Sequence, residues 1–559
     1  MAYITMAFVK TWFPVYMLLF EMYNIYPDII DFWRVPTVGK LIGVLLFLAV
    51  FPLCRPLRRC YLIFHRAVFF NMIYFPYLSR MQDIPSPSKI EVFYGHYGAP
   101  AKLDDGVTNL AYSRDAPQAG MLRVSSALSD FINNLPSTRE LVLPISRESV
   151  YQVLVSQAHS FVRQNNPYSF LSRVSGKGIL VTNGASAHDL MRSSLLPAFT
   201  KDNINRLAPG FIEHSSKLVA AVDSKLDPTC AHTSLDLEEP ITRSLTDSTC
   251  QALVGAHFDL LEQPGSKTAL AFGELATEAA TFTTVLHCMF KFMRWGSRNI
   301  IDNFVRDAAN AKIALHDSKY GYKDVVGSDG ASSDIISFLL AHDAAEWNAD
   351  NFLAQFYSLL AMQSDTIGGI RRTLWYLTLY PEIQSRLRDE IRTAFPGGAA
   401  SITSAGDLTS LRFLDCVLKE SLRLAPPRSD TIYRKAVKDV YIDGHRIPKG
   451  TTVYVDAYLL NRQPSVWDPD ASEFCPERWQ QRESDADAFT DEQNLMTFSK
   501  GPSSCIGEKF ALLQMKAFLA GLVGTFSFES PEEDPMADKD NVYSAEKLKA
   551  LLVARVPGW

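Results

Sequence analysis

Of the eight cysteines in this 559-residue chain, one stands in a loop that could do chemistry. In FSKGPSSCIGEKFALLQMKAFLAGL, Phe498, Gly501, Cys505 and Gly507 follow an F-x-x-G-x-x-x-C-x-G spacing ahead of an apolar helical stretch. The glycines let the backbone pass close to a flat macrocycle while the cysteine points inward. A thiolate placed there lies at a helix N-terminus, where the dipole and free N–H groups lower its pKa and hydrogen-bond the sulfur. Such a sulfur can ligate haem iron and push electron density toward O–O cleavage. Taken alone, a single cysteine after a loop is more often a buried structural thiol, so its context decides.

That context is ionic. CVLKESLRLAPP carries Glu420 and Arg423 one helical turn apart, on a helix that Pro426-Pro427 ends. FCPERW, between that helix and Cys505, adds Arg478 from an irregular segment, and this second guanidinium completes a Glu420–Arg423–Arg478 network. The network reads as scaffold rather than catalysis, because a buried ion cluster is stable only when every partner is satisfied.

The elements that must hold these residues are mostly helical. One long helix runs from a cap at Asp350 or Asn351 through FLAQFYSLLAMQSDTIGGIRRTLWYLTLY to a stop at Pro381, apolar on nearly all sides and therefore central. The next, PEIQSRLRDEIRTAF, places Ile383, Leu387 and Ile391 on one stripe, with Glu382 and Arg386 as a solvated pair, and reads as a surface helix. VYIDGHRIPKGTTVYV alternates β-rich runs with the turn residues Asp443-Gly444 and Pro448-Lys449-Gly450, a hairpin pattern. The expected fold is mainly α with a small β portion.

With Asp365-Thr366 in the central helix, then Glu420-x-x-Arg423, then Pro476-Glu477-Arg478-Trp479, then the Cys505 loop, the chain resembles the cytochrome P450 family from about Ile84 to its C-terminus. The wording KGPSSCIGEKFA is most similar to membrane-bound fungal members of specialised metabolism. The resemblance implies the P450 fold and haem b, with Cys505 as axial iron ligand and Phe498 and Gly501 shaping the loop. It implies that Asp365 and Thr366 relay protons to bound dioxygen, so that one oxygen atom enters a small hydrophobic metabolite such as a terpenoid or polyketide. His188 and Arg192, in GASAHDLMRSSLLPAF, correspond to the pair that binds the haem propionates, and Arg434 is a third candidate. Positions i and i+4 share a helix face, and a guanidinium fork suits carboxylates.

Two departures from the family pattern stand out. The position two before the cysteine is usually basic, and here it is Ser503, which puts more demand on Arg192, His188 and Arg434, with Lys500 as a substitute. The small pair ahead of the acid in the central helix is replaced by Met362 and Gln363, so either the Gln363 amide fills the gap or Gly368-Gly369 loosens the helix one turn later. These departures keep two further readings open: a reductase-independent haem-thiolate isomerase, dehydratase or peroxygenase, and a non-catalytic haem-binding membrane protein. The leading reading takes electrons from NADPH through a separate flavin reductase. Lys500, Lys509 and Lys516 then form a docking patch for that acidic partner.

Composition sets the outer bounds. A hydrophobic fraction of 47% can bury a large core, and a net charge of -6 gives no basic field for a nucleic-acid backbone. The scattered cysteines lack the paired spacing of zinc sites and the density of secreted disulfide scaffolds. Residues 1–83 are expected to form a membrane anchor and linker and residues 84–559 the catalytic domain, divided at the proline-punctuated IPSPS. Ile4 to Phe20 and Val38 to Cys54 compete as the transmembrane helix, and Ala67 to Leu78 suits the membrane surface. Arg55, Arg58 and Arg59 stay cytoplasmic by the positive-inside tendency, which implies an endoplasmic-reticulum protein facing the cytosol.

Overall fold

The computed structural model describes residues 75, 79–87, 105–125, 140–163, 178–180, 182, 185–272, 296–317, 334–343, 347–427, 432–467, 469–482, 494–531 and 551–559. The chain divides into two compact units, Met1–Leu103 with Arg123–Leu141, and Asp104–Leu122 with Val142–Trp559. In the first, Arg123 donates to the Phe75 carbonyl at 3.0 Å, pairs with Glu140 at 3.2 Å and lies over the Phe75 ring. Ile84 of the proline-punctuated segment is buried there, and the Pro85 carbonyl accepts from Arg123 N. Both anchor candidates and most of residues 67–78 lie outside the described residues. Among those described, no helix is long and apolar enough to cross a membrane.

The second unit carries the site. Its principal helices are α1 (Ala185–Leu195), α2 (Ala208–Asp223), α3 (Glu238–Val254), α4 (Gly296–Asp317), α5 (Ile335–Asp343), α6 (Ala349–Leu379), α7 (Pro381–Ala394), α8 (Arg412–Leu424) and α9 (Glu508–Thr525). The strands are β1 (Phe161–Arg163), β2 (Thr233–Leu235), β3 (Ile432–Ala436), β4 (Val440–Ile442), β5 (His445–Ile447), β6 (Thr452–Val455), β7 (Phe526–Glu529) and β8 (Leu551–Arg555). Strand β3 pairs antiparallel with β1 and β6, and β8 pairs with β2 and β7. The Asp443-Gly444 turn joins β4 to β5 as the sequence suggests. The later run TTVYV instead pairs with β3, so the alternating stretch serves two sheets. A short hairpin turn specifies its own two strands, whereas the next partner is chosen by burial.

Helix α6 is the central element. Its cap is Asn348, whose side chain accepts from Asp350 N and Asn351 N at 3.0 and 2.9 Å. The cap therefore precedes the expected Asp350 or Asn351, because a capping oxygen serves N–H groups two and three residues ahead of it. Asp350 lies in the first turn and pairs with Arg306. A Cβ at Gly369 would come 2.7 Å from Met515 Cε, so α9 packs directly on the glycine. Gly369 thus serves contact between helices, and α6 is unbroken through Gly368-Gly369 from Ala349 to Leu379.

Helix α7 buries Leu387 and Ile391 as its stripe implies. Arg386, expected beside Glu382, instead pairs with Glu477 and lies 3.9 Å over the Phe413 ring. A carboxylate and an aromatic face together outcompete a solvated pair, which is worth only a few tenths of a kcal/mol, about 0.2–0.5. Arg388 and Arg392 donate to the carbonyls of Val523, Phe526 and Gly524 around the end of α9. These bonds occupy acceptors that the helix cannot satisfy itself.

The Glu420 network closes completely. Arg423 grips Glu420 with two bonds of 2.9 and 2.8 Å, and Arg478 Nε donates to Glu420 Oε1 at 3.1 Å. Cys475 N and Trp479 Nε1 each add a bond of 2.9 Å to the same carboxylate. Arg423 spends its remaining donors on the carbonyls of Asn461, Ala471 and Glu473. Burial alone would push the Glu420 carboxyl up, but the bonds and charge of Arg423, and then the charge of Arg478, hold it below the ordinary value of 4.5. Its contribution to stability is therefore full above pH 4.5 and is lost as pH falls through the lower folded-state value.

From this hub a hydrogen-bonded path runs to the cysteine loop. Arg423 holds the Asn461 carbonyl, Asn461 Oδ1 accepts from Met496 N at 2.8 Å, and Asn461 Nδ2 donates to Thr497 Oγ1 at 2.9 Å. Thr497 Oγ1 donates in turn to the Leu422 carbonyl at 2.7 Å. The start of the loop is thereby tied to the end of α8.

Glu420→Ala leaves the buried Arg423 guanidinium without a carboxylate and Arg478 with Asp470 alone, and is expected to cost about 3–5 kcal/mol in chemical denaturation. Asn461→Ala breaks the path while sparing the hub, and is expected to cost about 1–3 kcal/mol in the same measurement.

Candidate functional site

The Cys505 loop is shaped by its own backbone. Cys505 N donates to the Phe498 carbonyl at 2.8 Å and Ser504 N to the Gly501 carbonyl at 3.0 Å. Gly501 has φ +74, and a Cβ there would stand 2.0 Å from the Leu154 carbonyl oxygen, so conformation and space both demand glycine. Phe498 is buried in the core at the loop's start. Helix α9 begins at Glu508, with Gly507 as its cap.

The expected lowering of the thiol pKa does not occur in the protein alone. Burial pushes the Cys505 thiol up to about 11; the Gly507 N–H opposes this, Glu508 and Asp365 add to it, and Arg192 opposes it. A helix N-terminus and one cation are too little to offset desolvation of a sulfur anion. A metal cation bonded to the sulfur would favour its thiolate form.

Around that sulfur the structure gathers positive charge. Arg192 lies on α1, half-buried, within electrostatic range of Cys505. Arg434 is buried on β3 and directly opposite Arg163 of β1. Its pKa is pushed down to about 9 by burial and then by the charge of Arg163. Burial, and then Arg192, also lowers that of Arg163, which feels Cys505 in turn. Among the described residues, no carboxylate forms an ion pair with Arg163, Arg192 or Arg434.

His188, expected to bind the same group as Arg192, is buried with both ring nitrogens committed. Its Nε2 lies 2.6 Å from Arg163 Nη1 and its Nδ1 3.3 Å from Asp189 Oδ1. Arginine only donates, so Nε2 accepts and the ring proton sits on Nδ1. Burial, and then the charge of Arg163, lowers the imidazole's pKa and favours this neutral form.

On the central helix, Thr366 is buried and Asp365 lies within electrostatic range of Cys505. Gln363 donates through Nε2 to Thr246 Oγ1 of α3 at 3.0 Å, which commits its amide group to a neighbouring helix. Its Oε1 is buried without a hydrogen-bond partner. Of the three lysines expected to form a docking patch, Lys509 is exposed and Lys500 half-buried. Lys516 is buried and pairs with Asp415 at 2.5 Å, which removes it from any such surface. An apolar helix face turned to the core admits a lysine only with a carboxylate.

Arg163 and Asn461 carry no motif. Arg163 stands in AHSFVRQNN, and only the sheet register brings it to Arg434; Asn461 acts through a path spanning three segments. The site they complete combines a half-buried thiol with cations that form no ion pair with a carboxylate among the described residues. That donor set fits a group bearing both an iron cation and carboxylates, as haem does.

Comparison with known proteins agrees. The family model for cytochrome P450 matches residues 110–552. The chain is 26% identical to the cytochrome P450 monooxygenase sphH of Aspergillus fumigatus, over 87% of this chain and 90% of that one. It is likewise 26% identical to the cytochrome P450 monooxygenase FSL4 of Gibberella zeae, over 90% and 93% of the two chains. Among solved structures, the cytochrome P450DA heme domain superposes with a TM-score of 0.66 at 18% identity, over 85% of this chain and 98% of that one, and shares its fold. The chain belongs to the cytochrome P450 family.

Proposed function

We propose that this protein is a haem-thiolate monooxygenase that inserts one oxygen atom from O2 into a small hydrophobic metabolite of fungal specialised metabolism, by hydroxylation or epoxidation. The observation that carries this reading is the grouping of Arg163, Arg192 and Arg434 near Cys505 with no ion-paired carboxylate among the described residues, together with Asp365 of the central helix in electrostatic range of the same sulfur. The named relatives, cytochrome P450 monooxygenases of fungi, support it.

Haem, when bound, supplies the iron chemistry that activates dioxygen. The chain's own residues hold and serve it. Cys505 Sγ would ligate the haem iron, and Arg192 and Arg434 would meet the haem carboxylates. The close approach of backbone at Gly501 keeps the loop that carries the sulfur in place. Thr366 Oγ1, buried on α6, passes a proton inward from the Asp365 carboxyl. Electrons come from NADPH through a separate flavin reductase, with Lys509 as an exposed contact. Residues 1–83 anchor the protein in the endoplasmic-reticulum membrane with the catalytic domain in the cytosol.

The uninterrupted helix at Met362 and Gln363 favours a second reading, a haem-thiolate isomerase, dehydratase or peroxygenase that needs no reductase. Turnover measured with and without reductase separates the two. For the principal reading, Cys505→Ala is expected to abolish the thiolate-type carbon monoxide difference spectrum, and an unchanged spectrum would refute ligation by this residue. Thr366→Ala is expected to lower product formed per NADPH by on the order of tenfold while peroxide release rises. Undiminished coupling would remove Thr366 from the proton path.

A further inference from the structure

Where α3, α6 and α9 meet, the core is polar. Helix α6 packs against both of the others, and the stretch Thr246-Asp247-Ser248-Thr249 of α3 is buried there. Two amides reach it from the neighbouring helices. Gln363 Nε2 of α6 donates to Thr246 Oγ1 at 3.0 Å, and Gln514 Nε2 of α9 donates to Ser248 Oγ and Thr249 Oγ1, each at 3.1 Å. Gln363 is 4% exposed and Gln514 fully buried. An amide that meets hydroxyls through its nitrogen turns its carbonyl oxygen elsewhere. Gln363 Oε1 and Gln514 Oε1 are both buried without a hydrogen-bond partner.

The hydroxyls of α3 are unevenly used. Thr246 donates to the Thr242 carbonyl at 2.7 Å. Ser248 and Thr249 accept from Gln514, and among the described residues their own protons meet no acceptor. The seam therefore presents two acceptors and two donors that no protein group pairs. A buried carbonyl oxygen in that condition has lost its hydration without compensation.

Water fits this set. One molecule brings two O–H donors for the amide oxygens and two lone pairs for the hydroxyl protons. A hard cation also takes carbonyl and hydroxyl oxygens, but a buried charge needs an opposite charge beside it. Asp247 is the carboxylate of the stretch, and its two oxygens accept instead from Leu260 N at 2.9 Å and Leu261 N at 3.0 Å.

We propose that the junction of α3, α6 and α9 is an internal water-binding site, held by Gln363 Oε1, Gln514 Oε1 and the hydroxyls of Ser248 and Thr249. The glutamine at position 363, where the family pattern has a small residue, brings to the site the acceptor that α6 contributes. The water ties the helix that bears Asp365 and Thr366 to the helix that follows Cys505. The proposal is independent of the haem reading, since none of these groups ligates iron.

A crystal structure of the purified holoprotein, at a resolution that shows ordered internal water, tests the site directly. Density is expected for one water, or two in contact, bridging Gln363 Oε1 to Gln514 Oε1 with hydrogen bonds of about 2.6–3.2 Å. A seam without such density overturns the proposal. Oxygen contacts of about 2.3–2.6 Å mark a hard cation and overturn it equally. Urea unfolding of the same protein gives a second measurement. Gln363→Met and Gln514→Met keep the side-chain volume, and each is expected to raise the apparent unfolding constant by about tenfold. The double variant is expected to fall well short of the roughly hundredfold product, because either substitution already breaks the bridge. A double variant that reaches the product overturns the shared site. If neither methionine variant folds, the native crystal structure decides by itself.

Discussion

The Glu420 carboxylate is the constraint on which the rest depends. It is fully buried and accepts from four groups: two arginine side chains, a backbone N–H and an indole N–H. A buried carboxylate is tolerated only when its lone pairs are filled, so the segments supplying those donors have little freedom. The irregular stretch that contains Ala471, Glu473, Cys475 and Arg478 has no ladder of its own, and it is held in place by the α8 pair. Asn461 extends the same order to Met496 and Thr497, at the entrance to the Cys505 loop.

A second group of buried charges obeys the opposite logic. Around Glu420 every guanidinium meets a carboxylate or a carbonyl. Near Cys505, among the described residues, Arg163, Arg192 and Arg434 form no ion pair with a carboxylate; Arg163 bonds the His188 ring and Arg434 the Tyr433 carbonyl. The first arrangement is closed and serves the fold. The second is open and is suited to an anionic ligand, because desolvated positive charge is strongly favoured to meet carboxylates that enter with it. The cysteine thiol shares this incompleteness, since burial keeps it protonated until a cation arrives. Family membership and local electrostatics therefore describe the same region from independent directions.

Glycines and lysines show how packing reassigns residues whose chemistry is ambiguous in one dimension. Gly368-Gly369 could have opened the helix, but Gly369 brings α6 against Met515 of α9. Lys516 could have faced a partner protein, but it lies on the core side of α9 and neutralises Asp415. Arg386 could have paired along its own helix, but an aromatic ring and a carboxylate from another segment lie closer. In each case the residue type allowed both roles, and the neighbours supplied by distant segments selected one.

What the sequence determined by itself is the set of local features: the long central helix and its end before Pro381, the Asp443-Gly444 turn, the pairing of Glu420 with Arg423, and the Cys505 loop with its essential Gly501. Each depends on contacts within a few residues or on a spacing that has one physical solution. The tertiary structure decided everything that needs two segments to meet. It made Asn348 rather than Asp350 or Asn351 the cap, sent TTVYV to β3, turned His188 toward Arg163, and placed Arg163 among the cations near Cys505. A short strand in AHSFVRQNN has no periodicity to announce its partner. Its arginine gains meaning only from the sheet register opposite Arg434, and register is set by burial of the whole sheet rather than by the strand's own residues.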